Sequence, residues 1–304
     1  MRKSWRYWLN LLCAFVVASL IGTAVVVIVL AYWNARSLIS PHHAPMTSTP
    51  AESGLSYESV TFTSADGLRL AGWHIPSRNG ATIILCHGLG CNRAEMLPQA
   101  VLLAEHGYGS FLFDFRAHSE SEGEMVTYGY SETDDVLAAV DYLLSRPDVD
   151  PQRIGILGGS LGAATALRAA ARSTHLRAVV AESTFTSLED EVSSSFKAFS
   201  GLPAFPFAPL VVAFAQWQTG LHISEVRPID DISCIAPRPV FIIHGTEDDI
   251  IPAEQGLRLY QAAGEPKELW MVDGMGHRSA LGIFPDEYEK RVISFFDKAL
   301  GVDK

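Results

Sequence analysis

Residues 154–162, IGILGGSLG, determine how the rest of the chain is interpreted. The apolar run 154–157 predicts a buried strand, and the glycines around Ser160 predict a sharp turn into the helix that follows. Gly158 and Gly162 carry no Cβ, so strand and helix can approach closely around the serine. G-x-S-x-G between a strand and a helix is typical of an exposed serine nucleophile. Taken alone, it also fits a glycine-rich turn with a capping serine.

Apolar runs and helical patterns alternate over residues 57–304. Runs 57–63 and 68–75 flank a turn and predict a hairpin. Continuous apolar runs predict strands buried on both faces and therefore parallel, at residues 82–86, 110–114, 154–157, 178–181, 240–243 and 268–272. Helical patterns lie between them, at residues 95–106, 133–145, 161–172, 254–263 and 285–300. We therefore predict one α/β domain with a mostly parallel, doubly wound sheet of about eight strands.

Two later strands end in residues that can act together with Ser160. Asp248 follows one of them, beside Asp249, and His277 follows the last strand on a glycine-flanked loop. A carboxylate holds an imidazole in one tautomer, and the imidazole can then take the proton of a serine hydroxyl. The carboxyl ends of parallel strands share one edge of the sheet, where ligands bind. We predict a catalytic triad of Ser160, Asp248 and His277.

The loop at residues 87–90, HGLG, follows another predicted strand. Acyl transfer passes through an oxyanion that needs two fixed N–H donors. We predict that the backbone amides of Leu89 and Leu161 form this oxyanion hole. The side chain of His87 is expected to be buried and to shape the loop through hydrogen bonds.

The N-terminal segment predicts a membrane helix. Residues 7–35 contain no charged side chain and no histidine, and the apolar core 11–33 is long enough to span a bilayer. Aromatic residues lie at both ends, as in an interfacial belt.

Arg2, Lys3 and Arg6 precede the segment and Arg36 follows it, which predicts a cytoplasmic N-terminus at 1–10 and an extracytoplasmic catalytic domain. Residues 34–56 are predicted to be a linker, and a cleaved signal peptide is disfavoured because the apolar run is too long.

Charge and composition exclude several classes of protein. The net charge of −11 disfavours nucleic-acid binding, because an acidic chain repels phosphates. Four cysteines cannot form a disulfide scaffold, although a disulfide among Cys86, Cys91 and Cys234 stays open. His42 and His43 have no further ligand nearby in the sequence, so we expect no metal site there. The predicted triad chemistry itself needs neither a metal nor an organic cofactor.

Over residues 57–300 the chain resembles the α/β-hydrolase superfamily. The matching segments are SADGLRLAGWHIP, HGLGCNR, DFRAHSESEG, GILGGSLGAATAL, HGTEDDIIP and GMGH. They are most similar to serine hydrolases of the serine aminopeptidase-like and acyltransferase- or thioesterase-like groups. In HGTEDDIIP the resemblance assigns the acid to Asp248, with Asp249 as the less favoured choice. The chain departs from the family pattern at Ala117 and Ser119, where relatives commonly have glycine, and at Ala163, where glycine is frequent.

The resemblance also implies a lid-like insertion at residues 184–237. Its stretch 201–217 is strongly apolar, which fits either a wall that receives an acyl chain or an ordinary core helix. We predict a membrane-anchored serine hydrolase that acts on an apolar carboxylic ester or thioester. The alternatives are an aminopeptidase-like serine peptidase and a non-catalytic hydrolase-fold protein that only binds a ligand.

Overall fold

The computed structural model describes residues 4–277 and 279–302. Within them the strands are β1 (Glu58–Thr63), β2 (Arg69–Ile75), β3 (Thr82–Cys86), β4 (Gly109–Phe113), β5 (Ile154–Gly159), β6 (Leu176–Glu182), β7 (Val240–Gly245) and β8 (Lys267–Val272). The α-helices are α1 (Trp5–Leu38), α2 (Leu97–Glu105), α3 (Glu132–Leu144), α4 (Leu161–Arg172), α5 (Leu188–Ser200), α6 (Ala204–Thr219), α7 (Pro228–Asp231), α8 (Ala253–Ala262) and α9 (Pro285–Leu300).

The eight strands form one sheet in the order β1-β2-β4-β3-β5-β6-β7-β8. Strand β2 pairs antiparallel with β1 and with β4, and the other neighbours are parallel. Helices α3, α4 and α8 contribute to the core on one face of the sheet, and α2 and α9 to the core on the other. The buried strands alternate between the two cores, with Ile84 in the first and Ile83 and Leu85 in the second. The predicted doubly wound, mostly parallel sheet is therefore confirmed.

Among the described residues, α1 is the only continuous helix that is long and apolar enough to cross a membrane. Helices α5 and α6 meet the same criterion only as a pair, bent by 104° at the break between them. Helix α1 continues through Leu38 and so extends into the predicted linker. Its last turns pack against α6, where Ala31 and Ala35 are fully buried.

Residues 39–56 are bound to the domain rather than free, in contrast to the tether expected for this segment. The amide of His42 donates to the Ala117 carbonyl at 2.7 Å, and the amide of Ser119 donates to the His42 carbonyl at 2.9 Å. The amide of Val126 donates to the carbonyl of Ile39 at 2.9 Å. These contacts fix the position of the end of α1 relative to the sheet.

Candidate active site

The turn between β5 and α4 places Ser160 at the carboxyl edge of the sheet. Ser160 has a φ of +52°, a left-handed conformation that is unfavourable for a residue with a Cβ. A Cβ on Gly158 would lie 2.4 Å from the backbone of Gly162, and a Cβ on Gly162 would lie 2.2 Å from the Cys86 carbonyl oxygen. Only glycine fits at both positions, so the close packing of strand and helix forces the turn that presents the serine.

Ser160, His277 and Asp248 lie within hydrogen-bonding distance of one another in series. The Nδ1 atom of His277 lies 2.8 Å from Oδ2 of Asp248, and its Nε2 atom lies 3.1 Å from the Ser160 hydroxyl. The other carboxylate oxygen of Asp248 accepts the amides of Ile250 at 3.0 Å and Ile251 at 2.8 Å. With Nδ1–H donating to the carboxylate, Nε2 of the neutral ring is free to accept the serine proton.

The electrostatic environment suits this sharing of protons. Burial lowers the pKa of His277, but the hydrogen bond and charge of Asp248 outweigh it and raise that pKa above its ordinary value. Burial raises the pKa of Asp248, but its bond to His277 and the two backbone amides hold the pKa below normal. Asp248 is therefore ionised at neutral pH, and its negative charge favours the protonated form of the neighbouring imidazole.

The two residues whose amides are predicted to bind an oxyanion, Leu89 and Leu161, line the same cavity as Ser160. Leu161 is the first residue of α4, so its N–H has no carbonyl partner within the helix. Leu89 lines the same cavity as Ser160. The neighbouring amide of Gly88 is already used, since it donates to the carboxylate of Glu95 at 2.7 Å.

His87 is fully buried and holds the shape of the loop, as expected from the sequence. Its Nδ1 atom bonds the carbonyl of Gly88 at 2.7 Å, and its Nε2 atom accepts the amide of Phe115 at 3.1 Å. Burial lowers its pKa to about 3, so the ring stays neutral at physiological pH. The bond to Gly88 turns that carbonyl towards the ring and fixes the backbone that carries the Leu89 amide.

An apolar cavity opens on one side of Ser160 and encloses about 900 Å³, part of it at the open mouth. Helices α5 and α6 supply much of its wall, and the end of α1 supplies Leu38 and Ile39. The predicted apolar stretch 201–217 therefore contributes to the cavity, through Val211, Val212 and Ala215. Its one carboxyl group belongs to Glu191, whose pKa burial raises to about 7.

A second, more polar cavity also reaches Ser160 and otherwise has a different lining. It is lined by Gly88, Glu95, Met96, Pro98, Gln99, Gly159, Ser160, Glu182, Ser183, His277, Ser279, Leu281 and Gly282. Glu182 accepts the amide of Ala280 and the hydroxyl of Ser279, which ties the loop after His277 to the end of β6. Burial raises the pKa of Glu182 to about 7. Sequence reasoning missed Glu182, although a charged residue at the end of a buried strand was a signal for it.

The described residues contain no group of three or more histidine, cysteine or acidic side chains that could hold a metal ion. His42 contacts the ring of His118, and His118 contacts that of His87, at centroid distances of 5.3 and 5.0 Å. All four cysteines, including Cys86, Cys91 and Cys234, are free thiols in the structure. Burial raises the pKa of the Cys86 thiol far above its usual range, so this thiol is unreactive.

The sheet order, the strained serine at the β5–α4 turn and the later acid and histidine together define an α/β hydrolase. Residues 99–303, more than half of the chain, match the model of the prolyl oligopeptidase family, and the chain belongs to that family.

Relatives share most of the chain. The protein YfhR of Salmonella typhimurium is 32% identical over 298 residues, covering 90% of this chain and 93% of its own length. The α/β-hydrolase domain-containing protein WAV2 of Arabidopsis thaliana is 29% identical over 226 residues, covering 71% and 69%. Among solved structures, the esterase Pf2001 of Pyrococcus furiosus is 28% identical with a TM-score of 0.74, covering 86% of this chain and 98% of its own.

Proposed function

We propose that this protein is a serine hydrolase that cleaves apolar carboxylic esters or thioesters through an acyl-enzyme. The observation that supports this most is the series of contacts from Asp248 through His277 to the Ser160 hydroxyl, beside an apolar cavity. The resemblance to an esterase structure supports the same chemistry.

In the proposed reaction the Ser160 oxygen attacks the acyl carbon while His277 takes the hydroxyl proton. Asp248 keeps the imidazole oriented and stabilises its positive charge. The amides of Leu89 and Leu161 bind the negative oxygen of the tetrahedral intermediate. His277 then protonates the leaving alcohol or thiol, and a water molecule activated in the same way releases the acid and regenerates the serine.

We further propose that α1 anchors the protein in a membrane with the domain on the extracytoplasmic side. The length and apolar surface of α1 support the anchor. The excess of basic residues before the uncharged segment 7–35, Arg2, Lys3 and Arg6 against Arg36 after it, supports the orientation by the positive-inside rule. The length of the apolar segment, well beyond that of a signal-peptide core, favours a retained helix over a cleaved signal peptide.

The Ser160→Ala variant tests the proposed reaction. We expect hydrolysis of p-nitrophenyl butyrate to fall by about 10⁶-fold, because the nucleophile is lost. We also expect the wild-type serine, but not the alanine variant, to react with a fluorophosphonate probe. Hydrolysis by Ser160→Ala at the wild-type rate would refute the assignment of Ser160 as the nucleophile. A wild-type protein that neither reacts with the probe nor hydrolyses the ester would favour a non-catalytic role.

A serine peptidase is the second candidate, favoured by the match to the prolyl oligopeptidase family. The same three side chains can cleave an amide, and carboxyl groups line the polar cavity, where an amine can bind. A panel of p-nitrophenyl esters and aminoacyl p-nitroanilides separates the two candidates. We expect hydrolysis of the esters and none of the anilides, because the apolar cavity offers no charged residue besides Glu191 to a peptide. Cleavage of the anilides would favour the peptidase.

A further inference from the structure

The end of the membrane helix forms part of the wall of the apolar cavity. Leu38 and Ile39 line this cavity together with Ser160. The hydroxyl of Tyr128, which also lines it, donates to the carbonyl of Leu38 at 2.8 Å. The amide of Val126 holds the carbonyl of Ile39 at 2.9 Å. The cavity therefore lies directly where α1 meets the domain.

Helix α6 has an apolar surface on both of its sides. Val211, Val212 and Ala215 face the cavity. On the outer side, Trp217 is 74% exposed, and Phe205, just before the regular part of the helix, is 85% exposed. The helix carries no charged residue. A surface helix in water normally has a polar outer face, whereas exposed tryptophan and phenylalanine beside a spanning helix suit the bilayer interface.

The length of α1 places α6 at the level of the bilayer surface. The helix has 34 residues, which corresponds to about 51 Å. The hydrocarbon core is roughly 30 Å thick, or about 20 helical residues. The apolar core predicted from the sequence, residues 11–33, covers this thickness and ends within the turns that carry Ala31 and Ala35. The turns that carry Ala31 and Ala35, and that pack on α5 and α6, then lie at the interface.

We propose that the substrate is a long-chain acyl ester lipid of the bilayer, whose acyl chain enters the apolar cavity alongside α6 and the end of α1. Its carbonyl reaches Ser160, and its alcohol part occupies the polar cavity, which Ser160 also lines. This inference rests on the proposed ester hydrolysis and adds the origin of the substrate. Hydrolysis releases a fatty acid and the alcohol, with water as the only other reactant.

The test compares one leaving group on a long and a short acyl chain. The full chain is reconstituted in dioleoylphosphatidylcholine vesicles that contain 4-methylumbelliferyl palmitate, and a parallel assay offers 4-methylumbelliferyl butyrate in the water phase. We expect Trp217→Glu to lower the rate of palmitate hydrolysis by about tenfold. The reason is that a charged side chain at this position weakens the contact of α6 with the bilayer. Butyrate hydrolysis should not change, because Trp217 lines neither cavity.

Leu257→Glu is the matched control, since Leu257 is also an exposed apolar side chain but lies on α8. It should leave both rates unchanged. Phe205→Glu provides a second variant and should repeat the selective loss. The lipid proposal would be overturned if both α6 variants hydrolysed palmitate as fast as the unmodified protein. It would also be overturned if the unmodified protein hydrolysed butyrate but not the palmitate ester in vesicles. A wild-type protein that hydrolyses neither ester would instead contradict the proposed function itself.

Discussion

Asp248 and Asp249 are adjacent and chemically alike, yet the structure places them differently. Asp248 is buried and bonds His277 and two backbone amides, whereas Asp249 is exposed. The sequence favoured Asp248 only through the family pattern, because two neighbouring carboxylates after one strand give the same local signal. The choice depends on which side chain turns inward, and that is decided by the loop as a whole.

This difference predicts the effect of two matched substitutions. Asp248→Asn should lower kcat for p-nitrophenyl butyrate by about 10⁴-fold, because an amide cannot hold the imidazole in the required tautomer or stabilise its charge. Asp249→Asn should leave kcat almost unchanged. Steady-state kinetics on both variants measure the effect, and equal losses in the two would contradict the assignment.

Gly162 and Gly159 predict a second contrast, in stability. A Cβ at residue 162 would clash with the Cys86 carbonyl oxygen, while a Cβ at residue 159 meets nothing within 4 Å. Gly162→Ala should therefore lower the free energy of unfolding by about 3 kcal/mol or more. Gly159→Ala should be tolerated. Thermal unfolding of both variants distinguishes them, and an unchanged Tm in Gly162→Ala would show that the turn can relax.

At the scale of elements, the strands and the helices of the domain follow closely from the sequence. Strands such as β3 and β5 are continuous apolar runs, and α4 and α9 have the predicted bounds. Helix α6 could not be interpreted in the same way. An apolar helix has the same sequence pattern whether it lies in a core, in a cavity wall or at a membrane. The three positions can be distinguished only by what surrounds the helix, which for α6 is α1 and the apolar cavity.

The contact between α1 and α6 depends on small side chains. Ala31 and Ala35 lie one turn apart and are fully buried, so the two helices approach closely. Ala35→Leu should push α6 away from α1 and lower the palmitate-to-butyrate rate ratio several-fold. Ala24→Leu, on an exposed part of the same helix, should leave the ratio unchanged. The ratio measured with umbelliferyl esters checks this, and equal ratios in both variants would argue against a role for this contact.

At the scale of the whole molecule, the attachment of residues 39–56 is what the sequence could not predict. This segment has no periodicity, and its partners, such as Ala117 and Ser119, lie far along the chain. These two residues have φ values of +57° and +43°, which explains why glycine is suited to both positions. Ser160, Asp248 and His277 are easier to propose from the sequence, because each lies in the turn or loop that follows a strand.

The whole chain is expected to keep its N-terminal helix. Cleavage near Ala24 would leave an apolar helical remnant too short to span a bilayer but still attached to α6. We expect mass spectrometry of the mature protein to detect peptides upstream of residue 24, and alkaline carbonate to leave the protein in the membrane fraction. A mature N-terminus after residue 24 would show that α1 is a signal sequence.

The hydrogen bond from Tyr128 to the Leu38 carbonyl has a consequence for shedding of the protein from cells. A protease that cuts after Leu38 would release the hydrolase domain, but it would also remove part of the wall beside Ser160. The released form would lose the part of the cavity wall that shields a long hydrocarbon chain from water. Shedding would therefore change the selectivity of the enzyme together with its location.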